Sequence, residues 1–535
     1  MIIWLHGPSG AGKTTIGREL AGLRGVPFVD LDEEIERQEG RSVADIFWSD
    51  GEAAFRRLEW NALLALMEGE RTPKVVALGG GAVVDHDVRT LMRGSGLRVF
   101  VDVEPEVAMA RLEGDAPRPL LYDDDPPAKW RRLYNARRRY YEETDVTVRS
   151  DRTPAEMARA IAEEIDRAGD ALWTWPADIG GERCVVAGFG ALYALAQAMR
   201  ALTQGRRVCL VTDRLVERYY ADYLFPERER EGMITLAVDA SEGTKTLATV
   251  EELAAGMVAG GFTREGVIVA VGGGVVTDMA GFLGAIFMRG VRTIYVPTTL
   301  LAQVDAAIGG KTAVNAAGVR NLIGAFRQPG HVLVASQFLR SLTARELRSG
   351  FVESVKMGII NSKPLGAAVD AALPAILEGE LPENIDDVIR LSIRAKLDVV
   401  EQDARDSSLR LSLNFGHTFG HALEAVESGV YAHGEAVAFG MIAAAAMAYE
   451  RGTISGERRD RIAQCSLPFT VHERDTHNMN ALLRAMESDK KRAGGGYRFV
   501  LPTESEGFSL YDTDDRELVV RTMEAAFRDI AARHR

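Results

Sequence analysis

The sequence predicts an α/β protein in three parts: a parallel sheet with flanking helices, a second α/β layer, and a mostly helical part. Three observations carry this. Short β-rich runs alternate with amphipathic helical stretches, glycine runs directly follow several apolar runs, and beyond about residue 335 Leu, Ala and Ile recur every three to four positions. At 535 residues the chain is too long for one core. A hydrophobic fraction of 46% and a charged fraction of 26% exclude disordered and fibrous classes.

Residues 1–167 form the first part. Its strands are expected at Ile2–Leu5, Val75–Leu78 and Leu97–Val101, and its closing helix at Pro154–Arg167, where Met157, Ile161 and Ile165 share one face. Residues 168–181 lose periodicity and gather Gly and Pro, so a linker is expected there. Over 182–335 the alternation restarts, with strands at Val208–Thr212, Ile234–Val238, Val267–Val271 and Thr293–Val296. Residues 336–535 read as helical and without strands. The Ala-rich stretch Val437–Tyr449 is too short to span a membrane and reads as a buried helix.

A formal net charge of −13 gives no support to nucleic-acid binding, although 64 Lys and Arg residues leave room for local anion pockets. The three cysteines, Cys184, Cys209 and Cys465, form neither a disulfide framework nor a C-x-x-C pair. The N-terminal run Met1–His6 lacks a basic segment. A cytoplasmic protein that acts on small anionic metabolites, with no nucleic-acid or membrane partner, is the expectation.

Gly7-Pro-Ser-Gly10-Ala-Gly12-Lys13-Thr14 follows an apolar strand and precedes a helix, which is the full context of the G-x-x-x-x-G-K-S/T phosphate loop. Backbone N–H groups cradle phosphates there, Lys13 reaches the terminal oxygens, and Thr14 holds Mg²⁺. Asp30 and Asp32 end the next apolar run, and two residues apart on a strand they share a face. One carboxylate could serve Mg²⁺ and the other an acceptor hydroxyl, or the pair could simply cap the helix that follows.

Downstream lie Phe55-Arg56-Arg57-Leu-Glu59, Gly79-Gly80-Gly81, Arg118-Pro-Leu-Leu121 and Arg137-Arg-Arg-Tyr-Tyr-Glu-Glu143. In order and spacing these segments resemble shikimate kinase across residues 1 to about 165. The resemblance implies a P-loop kinase domain using ATP with Mg²⁺. It implies that Gly10, Gly12, Lys13, Thr14, Thr15, Arg111, Arg118 and Pro154 bind ATP, with Thr14 and Asp30 at the Mg²⁺. Asp32, Arg56, Gly80 and Arg137 would bind shikimate, Asp32 as base for the 3-hydroxyl, with Glu59 positioning Arg56. Lys13, Asp32 and Arg118 are the implied catalytic residues, Arg118 on a lid.

In the second part, Val267–Val271 runs into Gly272-Gly273-Gly274, a turn suited to a pyrophosphate, while Asp213 and Thr298-Thr299 end other strands. His417 and His421 lie four residues apart on one helix face, with His433-Gly-Glu435 beyond and Glu353-Ser-Val-Lys356 upstream. A cysteine-free set of Glu and His suits a catalytic zinc with an open position.

The string Gly272-Gly-Gly274, Met288-Arg289-Gly290, Pro297-Thr-Thr299, Asp305 to Lys311, Asn321 to Phe326, Asn414 to His421 and His433-Gly-Glu435 closely resembles 3-dehydroquinate synthase from about residue 182 onward. That implies a Rossmann-like α/β domain followed by a mostly helical metal-binding domain. Glu353, His417 and His433 become the implied Zn²⁺ (or Co²⁺) ligands. Asp213, Glu242, Lys245, Gly273, Gly274, Asp278, Thr298 and Thr299 become the NAD⁺ set. Asp305, Lys311, Arg320, Asn321, Lys356, Lys396, Arg410, Asn414, His421 and Lys490 (or Lys491) become the heptulosonate-phosphate set, with Arg289 supplied across a homodimer interface. His421, Lys311 and Lys356 are the implied catalytic groups.

Two departures from the family pattern stand out: Arg320 where Lys is usual, and Thr277 where Gly is usual. Together the two resemblances imply a bifunctional enzyme of aromatic biosynthesis. A polyol dehydrogenase fused to a gluconate-type kinase is the rival within enzymes. A regulatory fusion that only binds nucleotide is the rival outside them, and intact Lys13, Asp32 and Arg118 disfavour it.

Overall fold

The computed structural model describes residues 2–68, 73–112, 121, 125–142, 144–169, 171–225, 230, 232–427, 429–471, 477–490 and 496–534. The chain divides into two compact units. One is Met1–Trp173 with Phe189–Gln204 and Glu217–Gly232; the other is Thr174–Gly188, Gly205–Val216 and Met233–Arg535.

The first unit is built on a five-stranded sheet of β1 (Ile2–His6), β2 (Phe28–Asp30), β3 (Lys74–Ala77), β4 (Gly96–Asp102) and β5 (Val146–Arg149), in the order β2-β3-β1-β4-β5. All neighbours are parallel. A parallel sheet has helices on both faces, so both sets of alternating side chains must be apolar. β1 meets that demand directly. Ile3 and Leu5 join one core with Ile16, Leu20, Met157 and Ile161, while Ile2 and Trp4 join the opposite core with Ile35, Phe55 and Tyr141. The strand–turn–helix order then places the loops after β1, β2 and β3 at one edge, the carboxyl end of the sheet.

The second unit carries a seven-stranded sheet of β6 (Ala171–Ile179), β7 (Glu182–Phe189), β8 (Val208–Asp213), β9 (Ile234–Val238), β10 (Val267–Gly272), β11 (Arg292–Pro297) and β14 (His331–Val334), in the order β6-β7-β14-β11-β10-β8-β9. From β7 to β9 every pairing is parallel. The chain leaves β8 for β9 on one side and returns to β10 on the other. That reversal opens a crevice at the carboxyl ends of β8 and β10, the usual ligand position in such sheets. β12 (Lys311–Ala316) and β13 (Val319–Phe326) form an antiparallel hairpin between β11 and β14.

Helices dominate the rest, and the one spanning His433–Glu450 is buried along most of its length, as its Ala-rich sequence requires. No helix among the described residues is long and apolar enough to cross a membrane.

Three expectations need correction. Residues 168–181 are not an irregular loop: the Pro154–Gly169 helix runs into them and most of the remainder is β6, although the division between the two units falls among them, at Trp173 and Thr174. From Ala171 to Ile179 inward and exposed positions alternate, the pattern of an edge strand, and an edge tolerates Pro176. Strands also do not vanish after residue 335, because β15 (Tyr497–Pro502) and β16 (Phe508–Thr513) form a hairpin. Asp32 lies on the helix Leu31–Glu39 rather than at a strand end, so the shared-face argument for Asp30 and Asp32 fails.

Candidate active sites

The phosphate loop leaves β1 with Gly7, Gly10 and Gly12 at φ of 142°, 83° and 85°, values that only glycine adopts without strain. Lys13 folds back over the loop and donates to the Gly7 and Pro8 carbonyls at 2.9 Å each. The Thr14 hydroxyl donates to Asp30 Oδ2 at 2.5 Å, so the hydroxyl and carboxylate suited to Mg²⁺ stand together. Asp30 also caps the next helix, accepting from the amides of Asp32 and Glu33, as the cap reading of this carboxylate expects. Thr15 is exposed one residue further on.

Arg111 braces the loop from the side, donating to Ser150 Oγ at 2.8 Å and reaching the Gly10 and Ala11 carbonyls at 3.4 Å. Pro154 opens the helix that follows Ser150. Trp130 Nε1 donates to the Ser9 carbonyl at 2.9 Å, an anchor the sequence motif did not reveal. Beneath the loop, His6 is buried beside Phe100 and Tyr141. Burial, together with Arg98 and Lys13, pushes its imidazole down to about 3, so it is neutral. Arg118 lies outside the described residues.

Asp32, Arg56, Glu59 and Arg137 converge on Gly79–Gly81, the turn after β3. Arg56 donates to Glu59 Oε2 at 2.7 Å and to Glu52 at 3.1 Å. Arg137 and the Tyr141 hydroxyl both donate to the Gly80 carbonyl, at 3.2 and 2.6 Å. The backbone of this turn is a seat for the side chains. A Cβ on Gly79 would sit 3.0 Å from Asp32 Oδ1 and 3.1 Å from Glu59 Oε1, and one on Gly81 would overlap the Arg56 guanidinium. Burial drives the Glu59 carboxyl up to about 7 against the pull of Arg56, and its Oε1 has no hydrogen-bond partner among the described residues.

In the second unit, Asp213 ends β8 and accepts from the amides of Leu215 at 2.7 Å and Ala240 at 2.9 Å. Gly273 follows β10 and caps the helix Gly274–Ile286. A Cβ on Gly273 would stand 3.1 Å from the Thr299 methyl, so backbone and Thr299 form a close cradle at a helix N-terminus, as a pyrophosphate requires. Thr298 is buried and its amide donates to the Gly272 carbonyl at 3.0 Å. Lys245 donates to Asp278 at 2.5 Å and to Asn321 Oδ1 at 2.6 Å. Burial raises the Asp278 carboxyl to about 6, with Lys245 opposing. Asn321, at φ 51°, receives this bond while its own amide donates to Asn315, which in turn holds Glu242. Thr277 does not disturb the turn: its hydroxyl donates back to the Gly274 carbonyl at 3.1 Å.

Glu353, His417 and His433 stand on three different helices and bring their ligand atoms within 4.8 Å of one another. The Nε2 atoms of His417 and His433 lie 3.7 and 3.4 Å from Glu353 Oε1. Both Glu353 oxygens are buried and face the Lys356 ammonium and the two imidazoles. Burial works against this charge, but Lys356 and the histidines hold the carboxyl well below its usual range. One carboxylate and two imidazoles are a donor set that fits Zn²⁺ or Co²⁺. His421 is exposed and edge-on to His417 at 5.1 Å, beside the ligand triad rather than in it.

Around the triad the cations are anchored in turn. Lys356 donates to the Leu413 carbonyl at 2.6 Å, Lys396 to Asp305 Oδ1 at 2.6 Å, and Lys311 to Asp406 at 2.6 Å. Arg410 is buried and donates to the carbonyls of Gly309 and Ala404 at 2.9 and 2.8 Å. Asn414 closes the short helix Leu409–Asn414. Arg289 is exposed on a turn where it and Met288 both take positive φ, 67° and 47°. Lys490 ends a described helix, but its side chain, like Lys491, lies outside what is described.

Sequence reasoning missed Asp406 and Glu424. Glu424 carries a readable signal: it lies seven residues after His417 and three after His421, on the same helix face. It takes Arg320 at 2.8 Å.

Family comparisons cover both parts of the chain. The shikimate kinase model matches residues 9–166, the 3-dehydroquinate synthase N-terminal model residues 235–349, and the C-terminal model residues 350–492. A bifunctional shikimate kinase/3-dehydroquinate synthase from Thermotoga maritima is 34% identical over 466 residues, which cover 85% of this chain and 86% of that protein. A 3-dehydroquinate synthase from Solibacter usitatus is 43% identical over 293 residues, 54% of this chain and 82% of that one. Among solved structures, ValA, a 2-epi-5-epi-valiolone synthase from Streptomyces hygroscopicus subsp. jinggangensis with NAD⁺ and Zn²⁺ bound, has a TM-score of 0.57 at 25% identity, covering 65% of this chain and 96% of its own. With a phosphate loop and glycine seat in one unit, a dinucleotide turn and Glu–His–His cluster in the other, and a relative matched across both, this chain belongs to the bifunctional shikimate kinase/3-dehydroquinate synthase family.

Proposed function

We propose that the chain's two activities run on two separate sets of residues. One phosphorylates the 3-hydroxyl of shikimate with ATP and Mg²⁺; the other converts 3-deoxy-D-arabino-heptulosonate 7-phosphate to 3-dehydroquinate and phosphate. The observation that carries this reading is that the described members of each set lie within one compact unit.

In the kinase set, Lys13 and the loop amides hold the phosphates, and Thr14 with Asp30 holds Mg²⁺. Arg56 and Arg137 clamp the shikimate carboxylate, and Asp32 takes the proton of the attacking hydroxyl. Glu59 keeps one edge of the Arg56 guanidinium fixed.

In the synthase set, the residues around Gly273 hold NAD⁺, and Glu353, His417 and His433 hold the divalent metal. When bound, NAD⁺ supplies a reversible hydride acceptor and the metal a Lewis acid for a substrate hydroxyl. Lys356, Lys396, Lys311, Arg410 and Arg320 surround an anionic substrate, each positioned in advance by an acid or carbonyl. His421, exposed beside the triad, is placed to move a proton or contact the phosphate.

The same reading includes a homodimer through the synthase part. Arg289 is exposed between strained backbone and the exposed side chains of Ile286 and Met288, a presentation suited to a second copy's substrate phosphate. Free cysteines and the lack of a spanning helix among the described residues fit a cytoplasmic location.

The test supplies both substrates with their cofactors and follows ADP and phosphate separately. Lys13→Ala abolishes ADP formation alone, and His417→Ala abolishes phosphate release alone. Loss of both activities from either change would refute separate sites.

A further inference from the structure

The two histidines of the metal triad are oriented differently. His417 Nδ1 lies 3.2 Å from the Phe415 carbonyl, so local backbone turns its Nε2 toward Glu353. His433 has a carboxylate at each nitrogen: Glu353 at 3.4 Å from Nε2 and Glu424 at 3.3 Å from Nδ1. An imidazole that ligates through Nε2 carries its proton on Nδ1, and the group accepting that proton's hydrogen bond fixes tautomer and ring angle. For His433 that group is Glu424.

Glu424 is itself held. Its side chain is 6% exposed, and its other oxygen accepts from Arg320 Nη1 at 2.8 Å. Arg320 comes from β13, a strand exposed over most of its length. Its neighbour Asn321 accepts from Lys245, which also grips Asp278 beside the dinucleotide turn. Two consecutive hairpin residues thus join the nucleotide side of the site to the metal side.

His421, Glu424 and His433 also come within 4.8 Å of one another. A second cation is not needed there, because the Arg320 guanidinium already meets the Glu424 charge.

We propose that Glu424 is a positioning residue for His433, and that Arg320 is the strut that holds Glu424, so that seating of the β12–β13 hairpin is coupled to metal affinity. This rests on the reading of Glu353, His417 and His433 as the ligands. Arg320, the residue that departs from the family's usual Lys, has a role here that its charge alone does not convey: its Nη1 takes the Glu424 oxygen that does not face His433.

The test measures the Co²⁺ dissociation constant of the full chain by chelator competition, with the circular dichroism spectrum and denaturant midpoint of each variant as a check on folding. Glu424→Ala weakens Co²⁺ binding by about 10- to 100-fold, the range for losing a carboxylate behind a metal-bound histidine. Glu424→Gln, which keeps an acceptor for Nδ1, loses less than Glu424→Ala, and Arg320→Lys retains more affinity than Arg320→Ala. Arg320→Ala has no further effect once Glu424→Ala is present. Parent-like Co²⁺ affinity in Glu424→Ala, or an Arg320→Ala effect that survives undiminished in the double variant, overturns the proposal. His433→Ala separates the two levels: if it too leaves Co²⁺ affinity unchanged, the ligand assignment itself is wrong.

Discussion

The two catalytic regions solve the same problem, an anionic substrate in an acidic chain, by opposite means. The kinase pocket is built around backbone: Gly7 to Gly12 forms the left-handed turns of the loop proposed for the phosphates, and Gly79 to Gly81 seats the charged side chains. The synthase pocket is built around side-chain pairs drawn from separate helices and a hairpin. Two buried glutamates make the contrast concrete. Glu59, with a single arginine against strong desolvation, is pushed up to about 7. Glu353 is equally buried, yet Lys356 and two imidazoles hold it well below the usual range. Burial alone therefore does not decide whether a carboxylate stays charged; the partners facing it do.

The largest effect should come from breaking the synthase pairs. Glu353→Ala leaves Lys356, 1% exposed, without its buried partner. Removing one partner of a buried ion pair costs about 3–5 kcal/mol. The expected outcome is a fall of that size in denaturant stability together with loss of phosphate release. Lys356→Met in the same chain should recover part of the stability but none of the activity. If Glu353→Ala unfolds at the parent's denaturant midpoint, side-chain pairing is not what supports this pocket.

The backbone-built site should break by addition rather than deletion. A methyl on Gly81 would overlap the Arg56 guanidinium, so Gly81→Ala displaces the proposed carboxylate clamp. Its shikimate KM should rise by about tenfold or more, the cost of about 1.4 kcal/mol in one charge-assisted contact, while phosphate release from the synthase is untouched. An unchanged KM would mean that Arg56 is free to move and that the glycine seat is incidental.

A separate effect is in pH dependence. Glu59 is raised in the folded protein from its ordinary 4.5 to about 7, so the fold favours the protonated acid. Its contribution to stability is full below pH about 4.5 and falls as pH rises toward about 7, because over that window the unfolded chain binds fewer protons than the native one. The parent should therefore lose stability across this window relative to Glu59→Gln, which lacks the group. Parallel stability curves for the two proteins would place Glu59 in a more solvated or better paired environment than its burial implies.

Legibility followed the same divide. The phosphate loop, the glycine turn and the buried parallel strands could be read directly, since each needs only local sequence: β1 is apolar on both faces because both faces are covered. β6 escaped because an edge strand alternates weakly, and its Trp173, Trp175 and Pro176 look like loop composition. Asp32 was assigned to a strand because the helix starts one residue after Asp30, whose capping bond to the Asp32 amide ends the extended run. The proposed metal ligands needed family resemblance, as Glu353 and His433 are 80 residues apart and nothing local links them. Glu424 was missed although it shares the face of His417 and His421, because its importance lies in what Arg320 brings to it from a hairpin a hundred residues earlier.

The turn Gly79-Gly80-Gly81 also constrains how this pocket can change over generations. Its three positions contribute no side chain, yet two carboxylates, a guanidinium and the Ser9 hydroxyl press against them. Every amino-acid change reachable from a glycine codon by one base adds a Cβ. Each of the three is thus a position where all single mutations are larger, and none is smaller. Drift in the acceptor specificity of the kinase must therefore come through the surrounding ring of Asp32, Arg56, Glu59 and Arg137, while the floor of the pocket stays fixed in the genetic code's least forgiving direction.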